Sequence, residues 1–174
     1  GDVYKRQVIG LVLVLLYANL HRKPEIAHQR IEGTIELPEP KTKGKLSVEE
    51  ALNMRRSIRE YSKEPLTLEE VSQLLWAGQG ITAEWGGRTA PSAGATYPLT
   101  LYLVVEEVTG LQPGIYVYKP EDHSLSMLFN GSFRDQLYNA CLKQESVKKA
   151  PASIVIVAMY ERTTRRYGER GIRS

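Results

Sequence analysis

Cysteine is nearly missing from this chain: Cys141 stands alone among 174 residues. That excludes an internal disulfide and any thiolate-based metal cluster. Histidine is scarce too. His21, His28 and His123 lie too far apart in sequence for ligand spacing, so no zinc site is expected. Charge of one sign is concentrated nowhere. The 23 Lys and Arg stand against 20 Asp and Glu, a formal net charge of +3, and the two signs alternate along most of the length. Without a basic run interleaved with aromatics, no nucleic-acid partner is indicated. There is no Ser-His-Asp set, no carboxylate pair, no phosphate-binding glycine loop and no internal repeat. Long apolar runs are missing but for one, VIGLVLVLLYANL at Val8–Leu20. It falls short of the roughly 20 residues a helical membrane span needs, and no small-x-small cleavage site follows it.

What is present outlines one domain with appendages. A chain of this length with 42% hydrophobic and 25% charged residues can bury a core of its own. Residues 1–7, GDVYKRQ, lack an initiator methionine and resemble a translated sequencing adapter, so they are set apart as a scar. Residues 8–20 read as an export signal or membrane anchor. That implies a membrane-anchored or exported protein with a membrane contact, the alternative being a buried segment of a cytoplasmic one. Residues 21–45 are polar and proline-bearing and read as a linker. The domain is expected from Leu46 to residue 174. The polar, helix-like TTRRYGERGIRS ends it without a cap, which suggests a domain truncated at its C-terminus.

Local patterns within the domain point to α+β. SVEEALNMRRS has Ser47 three residues before Glu50, the spacing of a capping box, with Val48, Ala51 and Leu52 on one face. TLEEVSQLLWAG repeats the device with Thr67 and Glu70. Its apolar stripe is Leu68, Val71, Leu74 and Leu75, and Gly78 is the expected stop. LTLYLVVEEV, GIYVYKP and HSLSMLFNG read as strands, the last two paired across a PEDH turn. SFRDQLYNAC reads as a capped helix with Phe133, Leu137, Ala140 and Cys141 at helical spacing. The apolar ASIVIVAMY reads as a strand buried on both faces. Helices on a largely antiparallel sheet follow.

Two stretches carry chemistry. RRSIR places Arg55 and Arg59 four apart at the end of the first helix, on one helical face, able to converge on an anion; Ser57 adds a hydroxyl. Guanidinium forks match phosphate oxygens in a way lysine does not. A solvated basic helix end accounts for the same residues. TAPSAGATYP, Thr89–Pro98, combines two prolines and a glycine with a run of small residues, which leaves the backbone bare. An ordinary proline-bounded loop has that composition too. Tyr97 reads as packing or as the edge of a substrate pocket.

Together the two stretches resemble the nitroreductase family of FMN-dependent oxidoreductases, and most closely its SagB-type dehydrogenase branch. The likeness extends through LLWAGQGIT, GRTAPSAGATYPLTLYLVV, PGIYVYKPEDHSL and APASIVIVA, from about Leu46 to the last residue. It implies an α+β flavoprotein, incomplete here at its C-terminus, that works as an intertwined homodimer with FMN at the subunit interface. By that resemblance Arg55, Arg56, Ser57 and Arg59 match the segment holding the FMN phosphate and ribityl chain. Pro91, Ser92, Ala93 and Gly94 match the segment approaching the isoalloxazine ring, contributed by the partner subunit. It further implies hydride transfer between flavin and a small-molecule or modified-peptide substrate, with NAD(P)H as electron donor in some members. No catalytic acid or base is identified, and no metal. A non-catalytic flavin-binding module, or a membrane-tethered interaction module, stands as the alternative.

Overall fold

The computed structural model describes residues 33–172; the adapter-like start and the apolar run Val8–Leu20 lie outside the described residues. The fold is α+β. Five antiparallel strands form one sheet: β1 (Thr34–Glu36), β2 (Leu99–Val105), β3 (Gly114–Lys119), β4 (Ser124–Asn130) and β5 (Ala152–Ala158), in the order β1-β4-β3-β2-β5. The helices are α1 (Val48–Met54), α2 (Leu68–Gln79), α3 (Arg134–Ala140), α4 (Glu145–Lys149) and α5 (Tyr160–Tyr167).

The core follows the two periodicities. In the strands, Leu101, Leu103 and Val105 of β2, Tyr116 and Tyr118 of β3, and Leu125 and Met127 of β4 alternate onto one face and are buried. Val71 and Leu75 of α2, four apart, close over that face. Each such side chain contributes about 1.5–3 kcal/mol relative to exposure. The α2 capping box forms in full, Thr67 accepting from the Glu70 N–H while the Glu70 carboxylate accepts from the Thr67 N–H. Leu74, expected in the stripe, is exposed, and the helix runs past Gly78 to a cap at Gly80. There the Gly80 N–H donates to Trp76 O at 2.7 Å, and a Cβ on Gly80 would run into the Trp76 ring.

Three further expectations are corrected. Within the supposed linker, Thr34–Glu36 pairs with Ser124–Ser126 of β4, and Leu37 enters the core. Only Ile35 and Leu37 carry alternation there, too little to outweigh the flanking prolines and charges. The third helix is not capped by its own serine. Ser132 instead donates its hydroxyl to Glu106, whose other carboxylate oxygen accepts the Phe133 N–H at 3.0 Å, so a carboxylate 27 residues upstream caps α3. Finally β5 is not covered on both faces. Among the described residues it ends the sheet, paired with β2 alone, and Ile154 and Ile156 are exposed at 38% and 61%. Both face the core side, opposite Leu103 and Leu101, beyond the reach of α2.

Candidate functional site

The Ser92–Tyr97 loop leads into β2 and is built from strained backbone. Gly94 (φ 57°), Ala95 (φ 52°) and Tyr97 (φ 41°) all lie in the left-handed region, and only glycine tolerates that without cost. Internal bonds hold the turn. The Ala95 N–H donates to Ser92 O at 3.1 Å, and the Tyr97 N–H to the Ser92 hydroxyl at 2.9 Å. The Thr96 hydroxyl donates to Ala93 O at 3.1 Å. Tyr97 lies half-buried beneath Arg88, whose guanidinium sits 4.7 Å from the ring centroid. That guanidinium is fixed by Gln79 at 3.1 Å and Glu121 at 3.2 Å. Tyr97 is therefore part of a stack, with its backbone turned by Ser92.

Helix α5 grips the loop from the other side. Arg162 donates to Tyr97 O at 2.9 Å, Arg166 to Gly94 O at 2.5 Å, and the Met159 N–H to Pro98 O at 2.8 Å. A Cβ on Gly94 would collide with the Tyr167 hydroxyl and the Arg166 guanidinium. The bareness of Gly94 thus has a cause inside the fold, the approach of α5. Arg162, Thr163, Arg166 and Tyr167 were not singled out from sequence. The available signal was that YERTTRRY is helix-like yet has no apolar stripe, so its packed face must meet a polar partner.

Among the described residues no acceptor meets the N–H of Ala93 or Gly94, and Ala93 is exposed. Small side chains at Ser92, Ala93 and Gly94 let a flat acceptor-bearing ligand come against that backbone.

RRSIR is placed differently from the sequence expectation. α1 stops at Met54, and Arg55 at ψ 127° leads into extended chain. Arg55 and Arg59 therefore share no helical face. The Arg56 guanidinium folds back onto Asn53 O and Arg55 O, both at 2.8 Å, binding carbonyls at the helix end and turning the chain out. Arg55, Ser57 and Arg59 are exposed, and among the described residues neither Arg55 nor Arg59 meets a carboxylate. No hydrogen bond or ion pair joins 55–59 to the 91–97 loop within the described chain. A cavity of about 280 Å³ lies elsewhere, between Tyr61, β5 and the α3–α4 pair. It holds Cys141, whose thiol burial pushes up, away from nucleophilic character.

The sequence model of the nitroreductase family matches residues 52–174, and the chain belongs to that family. It is 48% identical over 128 residues to a putative nitroreductase of Methanocaldococcus jannaschii, covering 74% of this chain and 65% of that protein. It is 26% identical over 133 residues to the trifolitoxin operon protein TfxC of Rhizobium leguminosarum bv. trifolii, covering 68% of this chain and 37% of that protein. The chain thus spans less than two thirds of either curated relative. Among solved structures, a Ralstonia eutropha protein described as a nitroreductase superposes with a TM-score of 0.66 at 28% identity, over 86% of this chain and 69% of that one. The E. coli microcin synthetase McbBCD complex, solved with truncated pro-MccB17 bound, shares the fold with a TM-score of 0.53 at 21% identity, over 91% of this chain and 60% of that one.

Proposed function

We propose that the protein is an FMN-dependent oxidoreductase of the SagB-type branch, acting on a small-molecule or modified-peptide substrate. The observation that carries the reading is the Ser92–Pro98 stretch, whose carbonyls at 93, 94, 97 and 98 are all engaged while the Ala93 and Gly94 N–H groups meet no acceptor among the described residues. A backbone that offers donors and no bulk fits a flat heteroaromatic ring with acceptor atoms at its edge. The donor chemistry of the other segment fits a phosphate: Arg55 and Arg59 present exposed guanidiniums that meet no carboxylate among the described residues, and Ser57 a hydroxyl. Arg56, turned onto the helix end, contributes by shaping the turn. When bound, FMN supplies the redox chemistry, taking hydride from a donor such as a reduced nicotinamide or a substrate and passing it to an acceptor. Pro91, Ser92, Ala93 and Gly94 orient the ring; Arg55, Ser57 and Arg59 hold the phosphate end.

Among the described residues the two segments make no polar contact with each other, which supports a homodimer whose site draws one segment from each subunit. The exposed Leu46, Val48, Leu52, Met54 and Ile58 around α1, with Ile154 and Ile156 on β5, supply apolar surface for such an interface. The full-length protein, purified without added cofactor, should show the visible absorbance of bound flavin and bleach under a reductant. It should then reoxidise on addition of an electron acceptor. A colourless protein that takes up no FMN would refute the assignment, and a coloured one that never turns over would make it a passive flavin binder.

A further inference from the structure

The side of α5 that meets the loop is polar throughout, and its contacts share one pattern. Arg162, Thr163, Arg166 and Tyr167 form a stripe at helical spacing. Thr163 is 5% exposed, and its hydroxyl lies 3.3 Å from that of Thr96. Thr96 gives its own proton to Ala93 O, so Thr163 is the donor between the two hydroxyls. The relay Thr163 to Thr96 to Ala93 O fixes the peptide between Ala93 and Gly94. That peptide is trans and planar, so a carbonyl pinned inward aims the Gly94 N–H the opposite way, outward. Arg162 does the same service at Tyr97. Its bond to Tyr97 O secures a non-glycine residue at φ 41°, a conformation that lasts only when its surroundings over-determine it.

We propose that Arg162 and Thr163 are positioning residues: they hold the Ser92–Tyr97 loop in the conformation that presents the Gly94 amide as a donor to the flavin ring. The role in ligand binding rests on the flavin reading above, whereas the restraint of the loop does not. α5 is thus a clamp on the site from behind, touching no ligand itself at these two positions. Arg166 and Tyr167 sit further along the stripe, against Gly94, and close it.

The test uses the full-length protein and four variants: Thr163→Val, Thr163→Ser, Arg162→Met and Arg162→Lys. The first measurement is amide hydrogen exchange without flavin. Thr163→Val and Arg162→Met should speed exchange at Ala95 and Tyr97 by about fivefold or more, the effect of losing one hydrogen bond. Amides of β2 and β5 should be unchanged. Thr163→Ser should restore the wild-type rates, and Arg162→Lys should restore them in part. The second measurement is the visible spectrum and affinity of added FMN. The two disruptive variants should shift the flavin band and weaken binding, with Thr163→Ser again like wild type. Unchanged exchange in Thr163→Val and Arg162→Met would overturn the clamp, whatever the flavin does. Faster exchange with unaltered FMN spectrum and affinity would overturn the positioning role. A wild-type protein that restrains its loop yet takes up no FMN would defeat the flavin reading and, with it, that role.

Discussion

At Gly94 the backbone stands at φ 57°, and the space where a Cβ would go is filled by Tyr167 and Arg166. One residue earlier Ala93 is exposed. The two small residues therefore answer to different constraints, and substitution separates them. Gly94→Ala should lower unfolding free energy by about 1–3 kcal/mol through strained backbone and overpacking, seen as a reduced thermal midpoint with or without flavin. Ala93→Leu should leave flavin-free stability within about 0.5 kcal/mol, as surface changes do, yet abolish FMN retention. Loss of stability in Ala93→Leu would make the position packing rather than binding. Tyr118 offers a test of the polar cluster behind the sheet. Ser72 donates to Pro38 O at 2.5 Å and meets His123 Nε2 at 2.8 Å, so Nε2 carries the proton and Nδ1 accepts from Tyr118 at 2.9 Å. Burial, above all, pushes the Tyr118 phenol up to about 12, with nearby Arg88 opposing. Its neutral form is thus favoured in the fold, a contribution complete below the unfolded value of about 10 and lost as pH rises through the folded one. Stability should decline between those two values, and a phenolate absorbance titration should lose a late-ionising tyrosine in Tyr118→Phe, with Tyr116, raised by burial, and Tyr138, raised by its bond to Glu145, also shifted upward.

Among the elements, α3 depends on a distant partner. The buried Glu106 carboxylate takes the Ser132 hydroxyl and the Phe133 N–H, and Arg134 lies 3.6 Å away. Glu106→Ala should cost about 1.5–3 kcal/mol, since it unmakes charge-assisted bonds, whereas Ser132→Ala should cost about 1. Equal small effects in chemical denaturation would show that the helix caps itself. The same helix shows where sequence reading stops. Capping boxes at Ser47–Glu50 and Thr67–Glu70 are local and were legible, as were β2, β3 and β4 with their alternating cores. The cap from Glu106 is long-range, and no window around Ser132 contains it. β5 was legible as a strand, but its place at the end of the sheet depends on strand order, which apolarity does not encode. The three-residue β1 was invisible because Ile35 and Leu37 alone carry its pattern. Of the candidate site, the run of small residues at 91–94 and the arginines of 55–59 were visible as composition, but the helical face expected to join Arg55 and Arg59 does not form, because the helix stops at Met54. The α5 clamp was not visible, because its contacts are polar and lie 65 to 72 residues away along the chain.

For the whole molecule, the uncovered surfaces and the divided site bear on the same question. Apolar residues around α1 and on β5 stand exposed, and among the described residues the candidate phosphate and ring segments make no polar contact with each other. A homodimer accounts for both. Leu52→Glu together with Ile58→Glu should then shift the full-length protein from dimer to monomer in sedimentation and release flavin in parallel. A monomeric variant that keeps its flavin would place both segments of the site in one subunit. The central claim is tested most directly by titrating flavin-free, full-length protein with FMN and with riboflavin, which has the same ring without the phosphate. Wild type should prefer FMN, and Arg55→Ala with Arg59→Ala should erase most of that preference, each charged hydrogen bond being worth about 1.5–3 kcal/mol. Equal affinity for both ligands in the wild type, or an FMN preference that survives loss of both arginines in a folded protein, would contradict the account.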